Sequence, residues 1–105
     1  WSIYDDPKLF QPVRSKPYVE FRETIPNKLF IRVERQTIRK LPKYGSVLFT
    51  IRVHVDPIES ILNDKHSLKS LKMAVENLSG PMKEYKSINQ FEKILLDWLQ
   101  DKINQ

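Results

Sequence analysis

The sequence has no cysteine, two histidines, two glycines and no long apolar run. Without cysteine the chain forms no disulfide, thiolate metal site, iron–sulfur ligation or Cys nucleophile of its own. Two isolated histidines, His54 and His66, fall short of the three or four ligands that a structural metal site needs. His66 lies in the polar run Asn63-Asp64-Lys65-His66-Ser67 and reads as a surface residue near a helix start. There is no phosphate loop, dinucleotide-binding glycine pattern, GxSxG or HExxH, so the common local signatures of nucleotide, acyl-transfer and zinc-hydrolase chemistry are absent. No apolar stretch approaches a membrane span and no secretory leader opens the chain, which leads us to expect a cytoplasmic protein with no membrane partner. Neither internal repeats nor low-complexity tracts occur.

What is present is one modest core's worth of apolar residues in 105 positions, with abundant charge. The net charge of +5 is uneven. Up to His54 there are eleven Lys and Arg against five Asp and Glu; beyond it there are seven against eight. A basic half beside a near-neutral one implies an anionic partner for the first, and nucleic acid, phosphate or a carboxylate-bearing cofactor would all serve.

The densest pattern lies in Leu29–Val55. Leu29, Ile31 and Val33 alternate with Phe30, Arg32 and Glu34, and Val47, Phe49, Ile51, Val53 and Val55 alternate with Leu48, Thr50, Arg52 and His54. Period two in β-branched and aromatic types indicates strands, and the intervening Pro42 and Gly45 indicate a hairpin turn. Centred on Pro42, the hairpin would set Arg32 across from Arg52 and Glu34 across from Thr50, with Gln36 and His54 on the same polar face. Opposed arginines need an anion or carboxylate between them. Arg35 would then end the apolar face, where a charge requires a salt bridge or hydrogen bond.

Residues 1–28 hold four of the seven prolines and read as an extended, wrapping segment. Its aromatics Trp1, Tyr4, Phe10, Tyr18 and Phe21 are expected to anchor it to protein, and Tyr18–Arg22 to form a short strand. After residues 29–55 as the hairpin, residues 56–105 read as helices. The first has Asp56 as N-cap and Pro57 at the first position; the second runs from Ser67 to about Leu78 and stops at Ser79-Gly80-Pro81. The third is capped by Ser87, with Ile88, Phe91, Ile94, Leu95, Trp98 and Leu99 as its stripe. The fold class expected is α+β, an antiparallel hairpin or sheet followed by C-terminal helices.

Arg32, Glu34, Arg35, Gln36 and Thr37, then Leu41-Pro42, Gly45 and Phe49-Thr50-Ile51-Arg52, together resemble the RxERQTxxxLPxxGxxxFTIR segment of the haem-dependent oxidative N-demethylases. Trp1-Ser2 and Leu9-Phe10-Gln11-Pro12 are similar to the element that precedes that segment in the same family. The resemblance covers residues 1 to about 58. It implies a PAS-like haem-binding fold of which residues 1–105 are a C-terminal portion. A chain opening at Trp1 without Met suits that reading. It also implies oxidation of a small secondary amine with dioxygen, electrons coming from a reductase partner that carries flavin and an iron–sulfur cluster. Arg32, Glu34, Arg35, Gln36 and Arg52 become the candidate cofactor-binding residues, because arginines pair bidentately with haem propionates and Glu34 can orient them. The axial ligand would lie outside this chain, in a missing N-terminal part, leaving the fragment alone inactive. Two alternatives remain open: a haem-free family member, or a basic module for an anionic partner. Nucleic acid is the weaker anion, since only Phe30 and Tyr44 are left for base stacking.

Overall fold

The computed structural model describes residues 1–13 and 16–105. It is α+β: a three-stranded antiparallel sheet in the order β1-β2-β3, with helices gathered at one end. Strand β1 is Ser2–Tyr4, β2 is Phe30–Leu41 and β3 is Ser46–Pro57. The helices are α1 (Ile25–Lys28), α2 (Lys65–Glu76), α3 (Gly80–Tyr85) and α4 (Glu92–Asn104).

Core and hairpin part company. The buried apolar residues are Ile3, Val19, Ile25, Leu29, Ile58, Leu68, Val75, Ile88, Phe91, Leu95, Trp98 and Leu99. They come from the helices, the N-terminal segment and the base of the sheet, and none lies between Phe30 and Pro57. Strand β1 pairs with β2 only over Phe30–Arg32, so from Val33 onward the hairpin is a two-stranded arm. Twelve residues at ~3.3 Å each make each strand about 40 Å long, which accounts for the 55 × 28 × 26 Å envelope. The radius of gyration is 16.2 Å, where a compact chain of this length would have about 13 Å. Alternating apolar residues normally mark a half-buried strand, but Val33, Val47, Phe49 and Ile51 are exposed because no layer covers them.

The N-terminal segment also departs from expectation. Phe10, Tyr18 and Phe21 are exposed and Tyr18–Arg22 forms no strand; Arg22–Thr24 is a 3-10 turn leading into α1. The segment is anchored by Ile3, Pro17, Val19 and Ile25, smaller side chains that fit the gap beside α4 and the sheet base.

Helix boundaries shift for identifiable reasons. Pro57 still belongs to β3, and the turn after it, Ile58–Ile61, is 3-10 rather than an Asp56-capped α-helix. Asp64, not Ser67, caps α2: its carboxylate accepts from the backbone N–H of His66 at 3.0 Å and of Ser67 at 3.3 Å, and from Ser67 Oγ at 2.6 Å. Pro81 starts a helix instead of ending one. Ser79 Oγ accepts from Met82 N–H, and proline is tolerated in a first turn that lacks intrahelical donors. Ser87 ends α3: it adopts φ 57°, with Ser87 N–H bonded to Glu84 O and Ile88 N–H to Lys83 O, the double closure of a Schellman motif. Helix α4 begins five residues later and packs Leu95 and Leu99 towards α2.

The Asp64 cap gives a pH prediction. Hydrogen bonds from the Ser67 hydroxyl and from the Ser67 and His66 amides hold this carboxyl below its ordinary value. A lowered folded-state pKa stabilises the fold above the unfolded value, about 3.9, and the contribution fades as pH falls through the lowered value. Asp64→Ala is therefore expected to lower helical ellipticity and thermal midpoint at neutral pH, with the difference from the parent shrinking under acid. Asp64→Asn, which retains an acceptor, should lose less.

Candidate functional site

Strand pairing decides which motif residues meet. The turn comprises Pro42-Lys43-Tyr44-Gly45, closed by Tyr44 N–H to Leu41 O at 3.1 Å, with Gly45 at φ +64° where L side chains are strained. Leu41 therefore pairs with Ser46, and the centre falls between Lys43 and Tyr44 rather than on Pro42. An odd shift moves a strand's side chains to the other face relative to its partner. Arg35, not Arg32, lies opposite Arg52; Arg32 lies opposite Val55, Glu34 opposite Val53 and Gln36 opposite Ile51. The expectation that Arg32 and Arg52 share a face fails.

The five candidate residues thus divide between two faces. Arg32, Glu34 and Gln36 share one with Ile38, Val47, Phe49, Ile51, Val53 and Val55. Arg35 and Arg52 share the other with Val33, His54 and the hydrogen-bonded Thr37–Thr50 hydroxyl pair. Directly opposed residues have Cα atoms roughly 4.5–5.5 Å apart, so two guanidinium groups emerge side by side. Both arginines are exposed, and neither has an ion pair or side-chain hydrogen bond among the described residues. The expectation that Arg35 would be partnered fails too: once it faces solvent, no desolvation forces a partner on it.

Arg32 is the reverse. It is 8% exposed and its fork closes on backbone, Nη1 donating to Lys8 O at 3.2 Å and Nη2 to Leu9 O at 2.7 Å. Its Nε lies 3.8 Å from Glu34 Oε1, and its guanidinium lies 5.5 Å from the Tyr4 ring centroid. The N-terminal motif and the hairpin motif are therefore joined by one side chain, the first arginine of one gripping the backbone carbonyls of the other. The chain belongs to the haem-dependent oxidative N-demethylase, alpha subunit-like family. That family matches residues 1–96, both motifs and most of the helical part included.

Around Arg32 there is a cavity of about 180 Å³, lined by Trp1, Ser2, Tyr4, Arg32, Glu34, Tyr85 and Lys86. Lys86 lies over the Trp1 ring at 5.0 Å and its Nζ donates to Trp1 O. Sequence reasoning missed this grouping, because Ser2–Tyr4 is too short a strand to show periodicity and Lys86 sits in an unremarkable polar run. Its volume is below the ~300 Å³ at which ligand pockets usually begin, and its cations are already engaged. A porphyrin cannot enter it. His54 and His66 are both exposed, and no three His, Asp or Glu side chains converge on a metal-sized site among the described residues. A haem needs one axial donor rather than three, so the lack of such a cluster does not bear on it; the exposed guanidinium groups of Arg35 and Arg52 have the chemistry that pairs with its carboxylates, and His54 shares their face. No helix among the described residues is long and apolar enough to cross a membrane.

Proposed function

We propose that this chain forms the carboxylate-binding side of a haem site in an oxidative N-demethylase of PAS-like architecture. The observation that supports it is the cross-strand Arg35–Arg52 pair, exposed, without an ion pair among the described residues and embedded in the segment that carries the family resemblance. Two like charges at that distance repel each other, and a dianion held bidentately by both removes the repulsion while filling the planar donor forks. Haem bound there supplies dioxygen activation for oxidising a small secondary amine, with electrons from a flavin and iron–sulfur reductase. In this reading a donor to the haem iron would be supplied from outside these residues, by an N-terminal part of the same protein, and the complete enzyme would work in the cytoplasm. Within this reading Arg32 is a positioning residue that keeps the N-terminal segment against the sheet, and Glu34 steadies it.

The test is spectroscopic. The full-length protein and this chain are expressed with added haem, and the Soret band of each is titrated. The expected result is a band in the full-length protein and none in the chain. In the full-length protein, Arg35→Ala and Arg52→Ala should each weaken haem retention by about tenfold or more, as for loss of a charge-assisted hydrogen bond. A band in the isolated chain would make His54 or His66 the ligand. Absence of a band from both would overturn the haem reading.

A further inference from the structure

The arm is unfinished as a sheet. Strand β3 forms its outer edge over twelve residues, and no described strand or backbone hydrogen bond covers that edge beyond the base. Its pairing with β2 runs from Phe30–Pro57 to Leu41–Ser46 with no residue skipped, so no bulge twists the edge away, and proline occurs only at its last position. Proteins that remain alone blunt such edges with bulges, prolines or covering loops, because a row of unpaired amides and carbonyls is a template for another strand. One face beside this edge is an apolar strip: Phe49 and Ile51 are 51% and 52% exposed, flanked by Val47 at 62% and Ile38 at 73%.

Charge selects among occupants. Leaving aside Arg35 and Arg52, the arm from Gln36 to Ile51 carries Arg39, Lys40 and Lys43 and no carboxylate. A second copy along β3 would set two such cationic arms side by side, and like charges facing each other across strands are unfavourable. RNA would meet the cations, but Tyr44 at the turn is the arm's one aromatic free of the apolar strip, so there is no stacking platform.

We propose that the outer edge of β3 accepts an extended acidic segment of another polypeptide by strand addition. Its alternate apolar side chains join Phe49 and Ile51, and its carboxylates lie at the end nearest the turn, where Arg39, Lys40 and Lys43 gather. Backbone hydrogen bonds supply affinity, while the apolar strip and the cationic tip supply direction. The site uses a strand edge and the apolar face and does not depend on the haem reading.

The probe is a fluorescein-labelled, end-capped peptide of alternating Glu and Val, followed by anisotropy as this chain is added at low and at high salt. We expect saturable binding that weakens with salt, no binding of the matching Lys-Val peptide, and loss when the Glu-Val peptide is N-methylated along one edge, which removes its strand donors. The double variant Phe49→Asp, Ile51→Asp, on the exposed face and so compatible with the fold, should weaken binding by about tenfold or more. Equal binding of the Lys-Val or N-methylated peptide would overturn the proposal. So would a concentration-dependent dimer in sedimentation that the aspartates dissolve, or displacement of the peptide by single-stranded RNA at lower concentration.

Discussion

Arg32→Ala is expected to free the N-terminal segment from the sheet and to destabilise the fold by roughly 2–3 kcal/mol, about the value of one well-placed charge-assisted interaction together with lost packing. The side chain is buried and bridges two consecutive carbonyls more than twenty residues away in sequence. Without it the carbonyls of Lys8 and Leu9 turn to water and the guanidinium's volume beside Tyr4 is left empty. For a domain of this size the thermal midpoint should fall by roughly 10–20 °C, and limited proteolysis should cut first near Leu9-Phe10. The Glu34 contact adds little, since at 3.8 Å with a half-exposed carboxylate it is a weak, screened pair. Arg32→Lys is expected to recover only part of the loss, because one ammonium cannot reproduce a planar fork spanning two acceptors. Arg52→Ala supplies the contrast. Exposed and facing Arg35, it should leave stability within about 0.5 kcal/mol of the parent, so any loss of haem retention in that variant reports on the ligand and not on folding.

The second large effect is expected at Leu99. This residue is fully buried on the face of α4 that meets α2, among Leu68, Val75 and Leu95. Leu99→Ala removes apolar contact and leaves a cavity that helices held on several sides cannot close, at a cost of about 2–5 kcal/mol. Against the ~5–15 kcal/mol total of a small domain, and nearer its lower end for a chain with so much of its length in an uncovered arm, that takes the protein close to unfolding at growth temperature. The urea midpoint checks it. Ile51→Ala, a comparable loss of methylenes at a residue 52% exposed, is expected to shift the midpoint hardly at all. A large effect at Ile51 would mean that the arm is packed in solution against something that the isolated chain does not show.

The two substitutions mark where sequence reasoning succeeds and where it stops. The two hairpin strands, the α4 stripe of Leu95, Trp98 and Leu99 and the α+β class were legible because periodicity is a local property. The register was not. It depends on whether the turn holds an odd or even number of residues, and Pro42 drew the centre away from the four-residue loop that Gly45 permits. That one choice exchanged the neighbours of every arginine in the hairpin. Capping roles at Asp64, Pro81 and Ser87 were ambiguous for a related reason: proline and serine each serve at either end of a helix, and the hydrogen bonds that decide it lie two to five residues away. The N-terminal aromatics misled because size predicts burial only where a surface is available to receive the ring, and proline-rich backbone placed Pro17 and Val19 there instead.

The short loop Pro42–Gly45 exerts control at a distance. Deleting one residue from it, with the turn kept at four residues by drawing in one from a strand end, would leave both arginines of the Arg35–Arg52 pair in the sequence, yet slide β3 by one rung and turn the two guanidinium groups to opposite sides of the ribbon. If the pair binds carboxylates as proposed, loop length is as binding a requirement on this protein as the identity of either arginine. In a set of related chains, gaps should be tolerated almost anywhere at the surface except across these four positions.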